Sequence, residues 1–118
     1  MANPFVHMEL NTGDLAKAKE FYGALFGWKF EDMDMGASGT YSTFKPETGP
    51  GGGMMSMPEG NRGWLPYIGV EDINAATEKA KSLGATILIG PHEIPNIGWF
   101  TILTDSTTCT IAIFQPKK

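Results

Sequence analysis

Cysteine is almost absent: Cys109 stands alone among 118 residues. One thiol rules out an internal disulfide framework and suits a reducing compartment. Positive charge is also in short supply. Nine Lys and Arg face 13 Asp and Glu, the formal net charge is −4, and no basic cluster exists beyond Lys117-Lys118. A phosphate backbone is therefore not an expected partner. No apolar run approaches the roughly 20 residues of a membrane span. Met1-Ala2-Asn3-Pro4 lacks the basic and apolar regions of a secretory signal. The expectation is a cytoplasmic protein with neither nucleic acid nor membrane as partner. What remains is ordinary globular material, 42% apolar and 19% charged. That suits one domain over residues 1–118 with a modest core.

The most informative positive feature is a motif written twice. Leu10-Asn11-Thr12-Gly13-Asp14-Leu15 opens a helical stretch that ends Leu25-Phe26-Gly27. Ile68-Gly69-Val70-Glu71-Asp72-Ile73 opens another that ends Leu83-Gly84. Asp14 and Asp72 lie 58 positions apart, as do Leu15 and Ile73, Ala18 and Ala76, and Leu25 and Leu83. Two copies do not make a solenoid. They imply two packed modules, residues 1–60 and 61–118, related by a pseudo-twofold axis. Residues lining that axis should come in offset pairs.

Local patterns fill in each module. Residues 5–10 alternate as a strand, with Val6, Met8 and Leu10 on one face and His7 and Glu9 on the other. Thr12 or Asp14 caps a helix. Leu15, Ala18, Phe21, Tyr22 and Leu25 form its apolar face, Phe21, Tyr22 and Phe26 reading as core, and Gly27 ends it. Strands follow at 28–33, 41–44 and 54–57, with a turn at Gly36-Ala37-Ser38-Gly39 and loop over 47–53. Glu59-Gly60-Asn61-Arg62-Gly63 reads as the joint. The second module has a strand at 64–70, a helix over about 74–83 with Ala76, Ala80 and Leu83 inward, and strands at 86–89, 100–104 and 110–114. Residues 90–98 read as a long loop, either functional or a plain connection.

These residues resemble the vicinal-oxygen-chelate superfamily, which holds glyoxalase I, extradiol dioxygenases and the bleomycin-resistance proteins. In the first module the resemblance rests on His7, Leu10, Thr12, Asp14-Leu15, Ala18, Phe21-Tyr22, Leu25 and Phe26-Gly27-Trp28. In the second it rests on Val70-Glu71-Asp72-Ile73, Leu83-Gly84, Gly90-Pro91, Ile94-Pro95, Gly98 and Asp105. It implies an α+β fold whose two βαβββ modules curl into a cup of mixed sheet. It also implies metal ligands on the first and last strand of each module. The matching positions here are His7 with its offset mate Leu65, and Met54 with its mate Ala112. Only His7 among these binds a hard or borderline divalent ion, and a catalytic zinc needs about three protein ligands. The expectation is therefore no metal, no cofactor, and no metal-dependent glyoxalase or dioxygenase reaction. The family's terminal Asp-Pro-x-Gly is replaced by Asp105-Ser106-Thr107-Thr108, so a differently built last hairpin is expected.

Candidate site residues follow. On a face lining the cup, His7 would act as a general base and Glu9 would orient it or hold substrate. The alternative is an imidazole hydrogen-bonded to its neighbours with no catalytic part. Trp28, Met54, Met55, Trp64, Leu65, Tyr67, Trp99, Phe100 and Ala112 read as an apolar, aromatic ligand pocket, or equally as core filling. His92 and Glu93 read as loop residues, a gate or acid or simply solvated. Cys109 reads as an inert strand thiol. Gly51-Gly52-Gly53 lacks the lysine and helix of a phosphate loop and reads as a flexible lead-in.

Three functions fit. The first is a metal-free protein of the glyoxalase/bleomycin-resistance group that binds a small organic ligand. The second is a metal-independent lyase, isomerase or hydrolase using His7 and Glu9. The third is a non-catalytic interaction module. A homodimer suits open sheet edges and an apolar rim.

Overall fold

Two aspartates at the repeat's matched positions start two helices. Asp14 accepts from the Lys17 N–H and Asp72 from the Ala75 N–H, both at 3.1 Å. Each therefore satisfies a backbone donor that the first helical turn leaves open. The computed structural model describes residues 2–36, 39–56 and 62–117. Its elements run β1 (Phe5–Thr12), α1 (Leu15–Phe26), β2 (Phe30–Asp34), β3 (Thr40–Phe44), β4 (Gly52–Ser56), β5 (Gly63–Gly69), α2 (Ile73–Ser82), β6 (Thr86–Ile94), β7 (Gly98–Thr104) and β8 (Thr110–Pro116). Strand–helix–strand–strand–strand occurs twice, as the repeat implies, and the fold is α+β. The expected turn residues Ala37 and Ser38, the strand end Met57, and Glu59, Gly60 and Asn61 of the joint lie outside the described residues.

The chain forms two units, His7–Leu65 and Met1–Val6 with Pro66–Lys118. In the first, strands bond in the order β2-β3-β4-β1, with β1 and β4 parallel and the other pairs antiparallel. Leu10, Phe44 and Met54 form its core, packed against Leu15, Ala18 and Tyr22 of α1 and against Trp28 and Phe30. Gly27 ends α1 at φ 74°, a left-handed conformation that glycine adopts without strain. The expectation that Phe21 and Phe26 are core fails: they are 58% and 56% exposed, and Leu25 is 58% exposed. The Leu15, Ala18 and Tyr22 stripe packs on the sheet. Phe21 and Leu25, four residues apart, form a second stripe turned outward.

In the second unit the order is β5-β8-β7-β6, with β5 and β8 parallel. Val70, Ile73, Leu103 and Ile113 form its core, with Ala76 and Ala80 of α2 packed on it. Leu83, expected inward, is 69% exposed. The buried residues on α2 are Ile73 and Thr77, and the Thr77 hydroxyl donates to Ile73 O at 2.7 Å and meets Thr101 Oγ1 at 2.9 Å.

Two expected loops are strand. Gly52 and Gly53 lie within β4, and residues 90–94 continue β6. Register shifts between Ile87 and Ile89 and between Ile89 and His92 irregularise β6. Such bulges hide a strand's alternation in sequence. The connection to β7 is a short turn, with Ile97 N donating to Ile94 O at 3.0 Å and Asn96 at φ 67°. Asp105 organises the turn of the last hairpin. Asp105 Oδ1 accepts from Thr107 N at 2.7 Å, Thr107 Oγ1 at 2.6 Å and Cys109 N at 3.1 Å. These bonds, led by the Thr107 hydroxyl, hold the carboxyl below its ordinary pKa. Cys109 is exposed in this turn, before β8 begins.

The Thr77–Thr101 pair is buried on both sides, at 3% and 0% exposure. Thr77→Val is expected to cost about 1–3 kcal/mol by leaving Thr101 without its partner. Adding Thr101→Val should recover part of that loss. Urea denaturation checks this, and a double variant weaker than both singles would contradict it.

Candidate functional site

β1 and β4 run parallel with Leu10 opposite Met54 and Glu9 opposite Gly53. Leu10 and Met54 face α1. Strand alternation then puts His7 and Glu9 on the opposite face. Tyr41 of β3 joins them there, since its neighbours Ser42 and Phe44 are the buried, α1-side residues of that strand. Sequence reasoning passed over Tyr41.

The Tyr41 hydroxyl lies 2.8 Å from His7 Nε2 and 3.4 Å from Glu9 Oε1. The two rings meet end-on through this bond, their planes 13° apart and their centroids separated by 6.4 Å. The hydroxyl carries one proton. When it serves Glu9, His7 Nε2 is the donor; when it serves His7, Nε2 is the acceptor. All three side chains are half-buried. Burial holds the His7 imidazole below its ordinary pKa of 6.5. The imidazole is thus a neutral hydrogen-bonding group near pH 7. Asn11 follows Glu9 on the same face by alternation. It is 8% exposed, and its Oδ1 has no hydrogen-bond partner among the described residues.

Glycine makes this arrangement possible. A Cβ on Gly53 would overlap the Tyr41 ring, and one on Gly52 would overlap Met8 O and sit 2.7 Å from Phe44 Cζ. Tyr41 crosses β4 over Gly53 to reach β1. The glycine run was the sequence signal for it: glycine inside a strand marks the close approach of a neighbour.

The expected aromatic pocket does not form as one surface. Trp28 and Trp64 lie on the α1 side, away from His7. Trp28 stacks on Phe44 at 4.4 Å, and Trp64 Nε1 donates to Tyr22 Oη at 3.3 Å. Met54, at 0% exposure, is under α1 as well. Leu65, one step from Trp64, takes the other face and is 7% exposed. Met55, opposite Asn11 and Tyr41, takes the His7 face. In the second unit Trp99 packs on the α2 side. Phe100, Tyr67 and Ala112 take the opposite face, and Ala112 is fully buried. His92 and Glu93 belong to β6 rather than a loop. His92 lies against Phe100, with ring centroids 5.9 Å apart, and Glu93 pairs with Lys117.

The metal positions need a correction of one residue. Leu10 with Met54 corresponds to Ile68 with Ile113, each pair joining the first and last strand on the helix side. The offset is therefore 58 on the first strand but 59 on the last. On the His7 face the last-strand place beside Met54 and opposite Glu9 is Gly53, mated to Ala112. A glycine has no side-chain donor, so the side chains fit a chelated ion no better after the correction. Among the described residues no group of three or more His, Cys, Asp or Glu side chains is placed to hold a metal.

His7 also sets a pH dependence. Its folded pKa lies below the unfolded value of 6.5, so acid protonates the unfolded chain first. Stability is full above about pH 6.5 and falls as the pH drops through the folded value. His7→Gln is expected to lose less stability than the native chain between about pH 7.5 and about pH 5. Urea denaturation at both values checks this; equal losses would contradict it.

Comparison with known proteins places the chain. A family model described as bleomycin resistance protein-like N-terminal matches residues 4–40. A glyoxylase-like domain-containing protein of Didymella fabae is 31% identical over 102 residues, covering 75% of this chain and 77% of that protein. CFP32 of Mycobacterium tuberculosis, proposed to be a glyoxylase, is 28% identical over 94% of this chain. The anthracycline biosynthesis protein DnrV of Streptomyces peucetius is 22% identical over 91%. The chain spans about half the length of these last two, 45% of each. Among solved structures, methylmalonyl-CoA epimerase from Mycobacterium tuberculosis has a TM-score of 0.72 at 15% identity, covering 98% of this chain and 89% of that one. A variant of the Streptomyces coelicolor methylmalonyl-CoA epimerase, in complex with 2-nitronate-propionyl-CoA, has 0.74 at 14%, covering 98% and 99%. At those identities the structures speak for the fold alone, while the fungal relative speaks for descent. With its two βαβββ modules and these relatives, the chain belongs to the vicinal-oxygen-chelate superfamily, in its glyoxalase and bleomycin-resistance group.

Proposed function

We propose that this chain is a metal-independent, cytoplasmic member of that group which binds a small organic molecule on the His7 face of the first unit. The observation that carries the reading is the His7–Tyr41–Glu9 network, half-buried and held over glycine. It offers a ligand an aromatic ring, a neutral imidazole and a carboxylate within a few ångströms. The orphaned Asn11 Oδ1 adds an acceptor that wants a partner. A planar molecule bearing carbonyl and hydroxyl groups suits this set: the ring stacks, and the polar groups fix orientation. Names among the relatives suggest two classes to screen, polycyclic ketones of the anthracycline type and coenzyme A thioesters.

A second reading is a metal-independent lyase, isomerase or hydrolase. The bridging Tyr41 phenol favours it, because it couples the His7 imidazole to the Glu9 carboxylate through one proton. A homodimer is part of the proposal too, supported by the outward Phe21 and Leu25 stripe on α1.

Isothermal titration against both ligand classes tests the binding reading. One class is expected to bind once per chain. Tyr41→Phe and His7→Gln should each weaken binding about tenfold, the equivalent of about 1.4 kcal/mol. Trp64→Ala, on the other side of the sheet, should leave affinity unchanged. Affinity lost in Trp64→Ala but kept in Tyr41→Phe and His7→Gln would contradict the proposal. Turnover of a bound ligand, abolished in His7→Gln, would favour the second reading.

A further inference from the structure

The second unit carries a cleft that the His7 face does not involve. Its volume is about 610 Å³, and its lining includes Glu71, Asp72, Pro91, Glu93, Trp99 and Gln115. A cation supplied by the chain itself already sits at its edge. Lys117 Nζ lies 4.8 Å from the centroid of the Trp99 ring and is ion-paired with Glu93. The Lys117 N–H donates to Ile97 O at 2.9 Å, which pins the backbone so that the side chain lies back over the indole.

An indole face with a carboxylate beside it is how proteins hold alkylammonium groups. We propose that this cleft is a binding site for an organic cation, a primary or quaternary ammonium, and that Lys117 is its built-in competitor. The lining is acidic, since Glu71, Asp72 and Glu93 all border the cleft. The start of α2 does not turn the site toward anions. Ile73 N is taken by Gln115 Oε1 at 2.8 Å and Ala75 N by Asp72 Oδ1 at 3.1 Å, so chain groups already meet these two donors. Lys117 is only partly enclosed, at 30% exposure, so a ligand cation can displace it.

Titration of tetramethylammonium chloride into the full ¹⁵N-labelled chain tests this, read at the Trp99 indole N–H, with sodium chloride at matched ionic strength as control. A saturable shift at Trp99 is expected, beyond that given by sodium chloride. Lys117→Met, which vacates the indole, should tighten binding about three- to tenfold, and Glu93→Gln should weaken it about as much. Both residues are at the surface, so these variants probe the site without disturbing the core. A shift that never saturates, one that sodium chloride reproduces, or an unchanged constant in Lys117→Met would overturn the proposal.

Discussion

The parallel ladder between β1 and β4 decides which side chains of the first unit meet. With Leu10 opposite Met54, one face of the pair is hydrocarbon under α1 and the other carries His7 and Glu9. A slip of a single residue would exchange the two faces. Gly52 and Gly53 hold the register in place. Any side chain at Gly52 would strike the backbone of β1, and any at Gly53 would push Tyr41 off its partners. Core and polar network thus share one cause.

Much of the fold was readable in the chain. The capping aspartates, Gly27 and the duplicated helix motif mark both helices and the βαβββ order. They act locally, through backbone donors and a left-handed glycine. What escaped depended on distant partners. Gly52 and Gly53 look like loop because glycine disfavours strands, yet a tyrosine 12 positions before Gly53 in the sequence needs the space. Residues 90–94 look like loop because register shifts break the alternation of β6. Phe21 and Leu25 look like core because helical spacing does not say which of two adjoining stripes meets the sheet.

The candidate site was half legible, for a related reason. Strand alternation put His7 and Glu9 on one face, and the resemblance singled out His7. Met54 came from the resemblance, and the offset read from the helices then paired it with Ala112, which lies on the opposite face of its own strand pair. A helix absorbs a one-residue error as a 100° turn, but a strand turns it into a change of face. The grouping of Trp28 and Trp64 in one pocket with Met55 failed similarly: aromatic character predicts burial, while the parity of position predicts the side. After the correction a glycine, Gly53, stands opposite Glu9 where the resemblance had put the thioether of Met54. The proposal that this chain works without a metal rests on those positions.

Metal stoichiometry tests that central claim most directly. Untagged protein would be dialysed against zinc, nickel and manganese in turn, then washed and submitted to elemental analysis beside His7→Gln. The account predicts well under one ion per chain for each metal and no difference between native and variant. One ion per chain, lost on replacing His7, would contradict it.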